Sequence, residues 1–203
     1  MQSIRAAGIA VLLSLAGSAL TGPAAQAATR PAIFTFPLVV SAGAAGCLPN
    51  ARGEVRLTAR GGSSQQMEVR VSGLPVNNTF TLFVLQLPHG PFGLAWYQGD
   101  IETDQYGIGH GRFAGIFSDE TFIVAPGTGP APVVHPADAS TNPATAPVHL
   151  FHLGIWFDST AEAAAAGCGG GQTPFNGDHT AGIQVLNTTN FPDGDGPIGQ
   201  FAP

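Results

Sequence analysis

Between His89 and Asp100 the chain sets Phe92, Trp96 and Tyr97 among Gly90, Pro91, Gly93 and Gly99. Aromatic rings held on a Gly/Pro-rich loop present flat π-faces to the apolar C–H faces of sugar rings. Gln98 and Asp100 stand beside them as polar groups that would fix a ligand's orientation. The ligand-binding candidates are therefore Phe92, Trp96, Tyr97 and Asp100, with Trp96 and Tyr97 stacking and Asp100 orienting. The competing reading is a hydrophobic cap over one end of a β-fold, the commoner use of large aromatics.

Six histidines raise a metal reading. His149 and His152 are three apart on an expected strand, and a period of two sends them to opposite faces. His110 or the Asp178-His179 pair would have to join one of them, because zinc or copper needs three or four converging ligands. Spacing shows no such convergence, so no metal ligand and no cofactor is assigned. Asp193-Gly194-Asp195-Gly196 offers two carboxylates to calcium. It lacks the later bidentate Glu of an EF-hand loop, since only Gln200 follows, and solvated turn acids are the preferred reading. Asp119-Glu120 and Glu102–Asp104 are near in sequence, which is not separation across a cleft. Ser118 lies outside any Gly-x-Ser-x-Gly elbow. No catalytic residue is assigned. Asn77-Asn78-Thr79 and Asn187-Thr188-Thr189 match the glycosylation sequon, which carries little if the source is bacterial.

The elements that must position these groups are strands. Glu54 to Arg60 alternates, with Val55, Leu57 and Ala59 on one face and Glu54, Arg56, Thr58 and Arg60 on the other. Gly61 to Ser64 is a turn. Gln66 to Ser72 alternates again, with Met67, Val69 and Val71 inward, so the pair forms a hairpin with one wet face. Thr79 to Leu87 is apolar on both faces over Leu82–Leu85, the mark of a central strand covered on both sides. Gly99–Thr103 and Ile108–Ala114 form a second hairpin through Asp104–Gly107, and Gly109 and Gly111 mark close backbone approach. Glu120–Ala125, Val148–Phe157 and Gly182–Asn187 complete about eight strands, the pattern of an antiparallel β-sandwich or jelly roll. One short helix is expected, with Ser159 as N-cap, Glu162 at N3 and Gly167 as its stop. Residues 126–147 form a Pro/Ala-rich loop with six prolines, long for a compact domain.

Residues 1–28 read as a secretion signal. Arg5 supplies the positive start, Ala6–Ala19 is uncharged and apolar, and Ala25-Gln26-Ala27 is a small-x-small cleavage site. The apolar run is shorter than the roughly 20 residues of a spanning helix. Residues 29–203 are expected to form one domain, of a size that buries roughly 70% of its unfolded surface. Without Arg5 it carries six Arg, no Lys and thirteen acids, a net charge of −7. That balance argues against nucleic acid as a partner. Cys47 and Cys168 both sit beside glycine, lack further metal ligands, and are expected to form a disulfide in an oxidising compartment.

Leu74-Pro75-Val76-Asn77-Asn78-Thr79-Phe80, entered from Met67–Val71, resembles the end-of-strand corner of fibronectin type III domains. Phe80 stands where that family's Tyr would be and brings no hydroxyl to the corner. With Gly73-Leu74-Pro75 the same stretch also resembles the secreted chordin-type (CHRD) repeat domains of bacteria. Their paired histidines have no counterpart, since His89 stands alone before Gly90-Pro91. The whole chain is similar to secreted β-proteins of soil bacteria, which implies no activity. The expectation is a secreted, non-enzymatic recognition module with an extracellular glycan or protein as partner and no membrane span once the signal is cut. The alternatives are a metal-dependent hydrolase or oxidoreductase using His110, His149 or His152, and a structural envelope or spore-coat protein.

Overall fold

The computed structural model describes residues 32–62, 64–93, 95–117, 150–169, 171–173 and 180–201. The expected signal at 1–28, the strand at 120–125 and the loop at 126–147 lie outside them, as do Ser118, Asp119, Glu120, His149, Asp178 and His179. The described chain is all-β, with eight strands in chain order: β1 (Ile33–Val40), β2 (Arg52–Gly61), β3 (Ser64–Ser72), β4 (Thr79–Leu85), β5 (Ala95–Glu102), β6 (Gly109–Gly115), β7 (His152–Phe157) and β8 (Gln184–Asn187). One helix, α1 (Thr160–Ala165), follows β7, and a 3-10 turn spans Pro197–Gln200. The spatial order is β5-β4-β7-β8-β1-β2-β3-β6, and every pairing is antiparallel.

The sheet folds back on itself as a sandwich. β2, β3 and β6 form one wall, β5, β4, β7 and β8 the other, and β1 belongs to both. Ile33–Leu38 pairs with β2, and Val39–Val40 pairs with β8. Alternation in the sequence does not single out β1, because Pro37 interrupts the run. The proline is tolerated next to the point where the strand changes partners, the kind of position to which strand prolines are confined. The two ends of the strand order, β5 and β6, are consecutive in the chain. They meet through the Asp104–Gly107 turn and the Thr103–Gly109 bridge. The Asp104 carboxylate accepts from the Tyr106 and Ile108 amides at 2.8 and 3.0 Å.

The expected faces are the observed ones. Val55, Leu57, Met67, Val69 and Val71 are buried beside Phe36 of β1, with Phe80, Leu82, Ile155 and Phe157 from the other wall in the same core. The Phe113 ring spans the seam between β5 and β6. A Cβ at Gly99 or Gly111 would come within 2.6 Å of that ring, so glycine at both positions lets the ring lie flat across the backbone. β4 is covered on both sides, as its doubly apolar sequence requires. Its inner residues Phe80, Leu82 and Val84 join the main core. Its outer residues Phe83 and Leu85 form a second cluster with Trp156, and Phe92 and Ala95 pack on it.

α1 carries the anticipated capping box. The Ser159 hydroxyl accepts from the Glu162 amide at 3.2 Å, and the Ser159 amide donates to the Glu162 carboxylate at 3.0 Å. Gly167, at φ +75°, follows the helix, and Cys168 is bonded to Cys47 in the turns after β1. At the Leu74–Phe80 corner the ring of Phe80 is in the core beside Phe157. The hydroxyl that ties this corner comes from Thr103, which donates to the Pro75 carbonyl at 2.6 Å and accepts from the Asn78 amide at 3.0 Å.

Candidate functional site

The aromatic stretch is not wholly a loop. Ala95 to Glu102 is β5, hydrogen-bonded to β4 along one edge. Adjacent strand residues point to opposite faces, and the register shows which is which. Tyr97 lies opposite Phe83 of the outer cluster, and Trp96 lies opposite Val84 of the main core. Each is 47% exposed, on opposite sides of the same strand. A bulge at Gln98, with Gly99 at φ +151°, then resets the register so that Asp100 falls on the outer face beside Tyr97.

The four candidates therefore separate into three environments. Tyr97 and Asp100 lie together on the outer face, where each shifts the other's titration. Phe92, on the loop after the cis Gly90–Pro91 bond, packs edge-on against the buried Trp156 ring at 5.1 Å. Trp96 is turned away from all three. The cluster beneath Tyr97 is a stack of edge-to-face rings, with Phe83 5.9 Å from Tyr97 and 5.4 Å from Trp156. This geometry suits the ring quadrupoles and holds Tyr97 against a rigid base.

Charge gathers at the other end of Tyr97. Burial raises the Asp100 pKa above its ordinary value, and the neighbouring Asp158 and Glu102 charges add to the rise, while the Tyr97 phenol opposes it. The Tyr97 phenol is raised too, by burial first and then by the Asp100 charge. Asp158 also accepts from the Thr81 hydroxyl at 3.1 Å. A half-exposed phenol ring with an acceptor-rich edge is a surface for stacking and for hydrogen bonds from hydroxyl donors.

The histidines divide between the walls. His110 is exposed on β6, opposite Arg70 of β3. His152 is buried on β7, opposite Leu85. Among the described residues no group of three or more His, Cys, Asp or Glu side chains is placed to hold a metal ion. His152 Nδ1 is 2.9 Å from the Thr188 hydroxyl and Nε2 is 3.1 Å from the Asp193 carbonyl. A carbonyl only accepts, so Nε2 carries the proton and Nδ1 receives the hydroxyl. This is a satisfied neutral histidine, and burial lowers its pKa.

Above it sits a pair that no local motif announces. His89 Nε2 is 3.1 Å from both carboxylate oxygens of Asp193, and Nδ1 is 3.2 Å from the Gly90 carbonyl. Asp193 is therefore engaged by an imidazole. The signal for this contact was only the isolation of His89 before Gly90-Pro91, which does not name a partner 104 residues away. No helix among the described residues is long and apolar enough to cross a membrane. The chain matches no protein-family model and no curated protein sequence.

Proposed function

We propose that this protein is an exported recognition module whose β5 strand binds a glycan. One observation carries the reading: a rigid antiparallel frame presents two half-exposed aromatics and an exposed carboxylate on a single strand at the end of the sheet order. Tyr97 stacks on a sugar face and Asp100 accepts from ring hydroxyls. Trp96 contacts a second ring from the other side of the strand. The disulfide and the n-h-c layout of residues 1–28 support work outside the cytoplasm.

The test is calorimetric titration with soluble neutral oligosaccharides, using the parent, Tyr97→Ala and Trp96→Ala. The Tyr97 ring is the main stacking surface, so Tyr97→Ala is expected to lower affinity at least tenfold while melting stays within a few degrees. Trp96→Ala is expected to weaken binding less. Equal binding by all three would remove β5 as the site.

A further inference from the structure

We propose that the outer face of the β2-β3-β6 wall is a docking surface for a linear anionic polysaccharide, independent of any ligand on β5. Five arginines, Arg52, Arg56 and Arg60 on β2, Arg70 on β3 and Arg112 on β6, share that one face, all exposed. They are the only Lys or Arg residues among the described residues. Two acids stand among them. Glu68 lies in register between Arg56 and Arg112, and Glu54 lies opposite Arg70. Seven further described acids lie elsewhere. In a chain of net negative charge, the cations are thus gathered on one wall with an excess of three.

Sheet stability does not ask for this arrangement. Opposite charges across neighbouring strands stabilise and like charges repel, so a self-sufficient face would alternate to neutrality. Here Glu68 is already committed. It accepts from Arg112 at 3.0 Å and from the Gln66 amide at 2.7 Å. Among the described residues Arg52, Arg56, Arg60 and Arg70 have no carboxylate within ion-pair distance.

The spacing suits a polymer. Arginines four residues apart along β2 are about 13 Å apart, and Arg56 and Arg112, two strands apart, are about 10 Å apart at their backbones. Between the β2–β3 turn and β6, Arg60 and Arg112 flank a shallow depression of about 560 Å³ with Ser64, Gln66, Phe113 and Ala114. A second depression, about 140 Å³, lies among Glu54, Arg56, Glu68 and Arg70. Guanidinium forks take carboxylate or sulfate in bidentate fashion. Phe113 is the one aromatic at this depression and its ring is packed across the β5–β6 seam, and the rest of the chain repels a nucleic-acid polyanion. The arginine rows also lack the apolar centre that a folded protein partner would use.

The test immobilises polygalacturonate, dextran sulfate, neutral dextran and duplex DNA, and measures binding of the disulfide-intact protein between 50 and 200 mM NaCl. The expected result is binding to one or both anionic polysaccharides, weakened by salt, with none to dextran. A preference for polygalacturonate assigns carboxylate as the recognised group, and one for dextran sulfate assigns sulfate. Arg56→Gln with Arg60→Gln, both without ion pairs, is expected to cut affinity tenfold or more with melting unchanged. Tyr97→Ala is expected to leave this binding intact, which separates it from the β5 site. Tighter binding to DNA, equal binding to dextran, no binding at all, or full affinity in the double variant would each overturn the proposal.

Discussion

His89 and Asp193 close on each other across 104 residues of sequence, with Nε2 equidistant from the two carboxylate oxygens at 3.1 Å. The other ring nitrogen faces the Gly90 carbonyl. Both nitrogens thus meet acceptors, and only the imidazolium donates from both. The His89 pKa is accordingly raised above 6.5, by the Gly90 carbonyl first and then by the Asp193 carboxylate. A raised histidine pKa gives stability that is full below the unfolded value and fades as pH climbs through the folded one. The melting advantage of the parent over His89→Ala should therefore be largest below about pH 6.5 and should shrink toward pH 8. A pH-independent difference would show that the ring is neutral.

His152, on the same end of the fold, slopes the other way. Burial holds its pKa below 6.5, so its contribution is full above that value and is lost as pH falls toward the folded pKa. The two histidines act in adjacent pH windows, His89 above 6.5 and His152 below it. His89→Ala should consequently remove the fall in stability above 6.5 and leave the slope of the acid limb unchanged. His152→Gln keeps a donor for the Asp193 carbonyl and an acceptor for Thr188 but cannot titrate. It is expected to cost about 1–2 kcal/mol and to flatten the acid limb. An acid limb unchanged in His152→Gln would assign the titration elsewhere.

Gly154 sits under the Trp156 ring. A Cβ there would enter the indole and come within 2.7 Å of the Gln184 amide nitrogen. Trp156 contacts both Phe83 and Phe92, so displacing it loosens the outer cluster on which Tyr97 rests. Gly154→Ala should cost about 1–3 kcal/mol, lower melting by roughly 2–4 °C per kcal/mol, and red-shift tryptophan emission. Parent-like melting and emission would mean that the ring has room to move.

The Tyr97–Asp100 pair is testable without a ligand. The chain has two tyrosines, and Tyr106 is exposed in the β5–β6 turn. Asp100→Asn removes a negative charge and an acceptor that favour the neutral phenol, while burial remains. Titration of tyrosinate absorbance in a Tyr106→Phe background should show the Tyr97 transition moving toward lower pH. An unmoved transition would separate the phenol from the carboxylate.

How much of this was legible depends on the range of each signal. β2 and β3 could be read from strict alternation, and the double coverage of β4 from Leu82–Leu85, because both are local patterns. Pro37 hid β1, whose change of partner is a property of the assembled sheet. Glycines around Trp96 and Tyr97 read as a loop, whereas Gly99 belongs to a bulge inside β5 that redirects Asp100. The outward direction of Arg56 and Arg60 followed from alternation, but the face they share with Arg70 and Arg112 required the order β2-β3-β6. The meeting of His89 with Asp193 had no local trace at all.

Cys47 and Cys168 span 121 residues of sequence, and that span sets the last prediction. One end lies in the turns after β1, the strand shared by both walls, and the other follows α1. Constraining so long a loop in the unfolded chain is worth about 4–5 kcal/mol in the chain-entropy model, an upper value where residual structure persists. At roughly 2–4 °C per kcal/mol for this size, reduction should lower melting by on the order of 10 °C. Cys47→Ser with Cys168→Ser should reproduce that loss without reductant. The site on β5 is held by β4 and the outer ring cluster and not by the bond, so the tyrosinate titration of the double variant should match the parent well below its melting point. A double variant that melts with the parent would place the chain's stability in the sheet alone. One that loses the Tyr97 shift while still folded would tie the site to the crosslink.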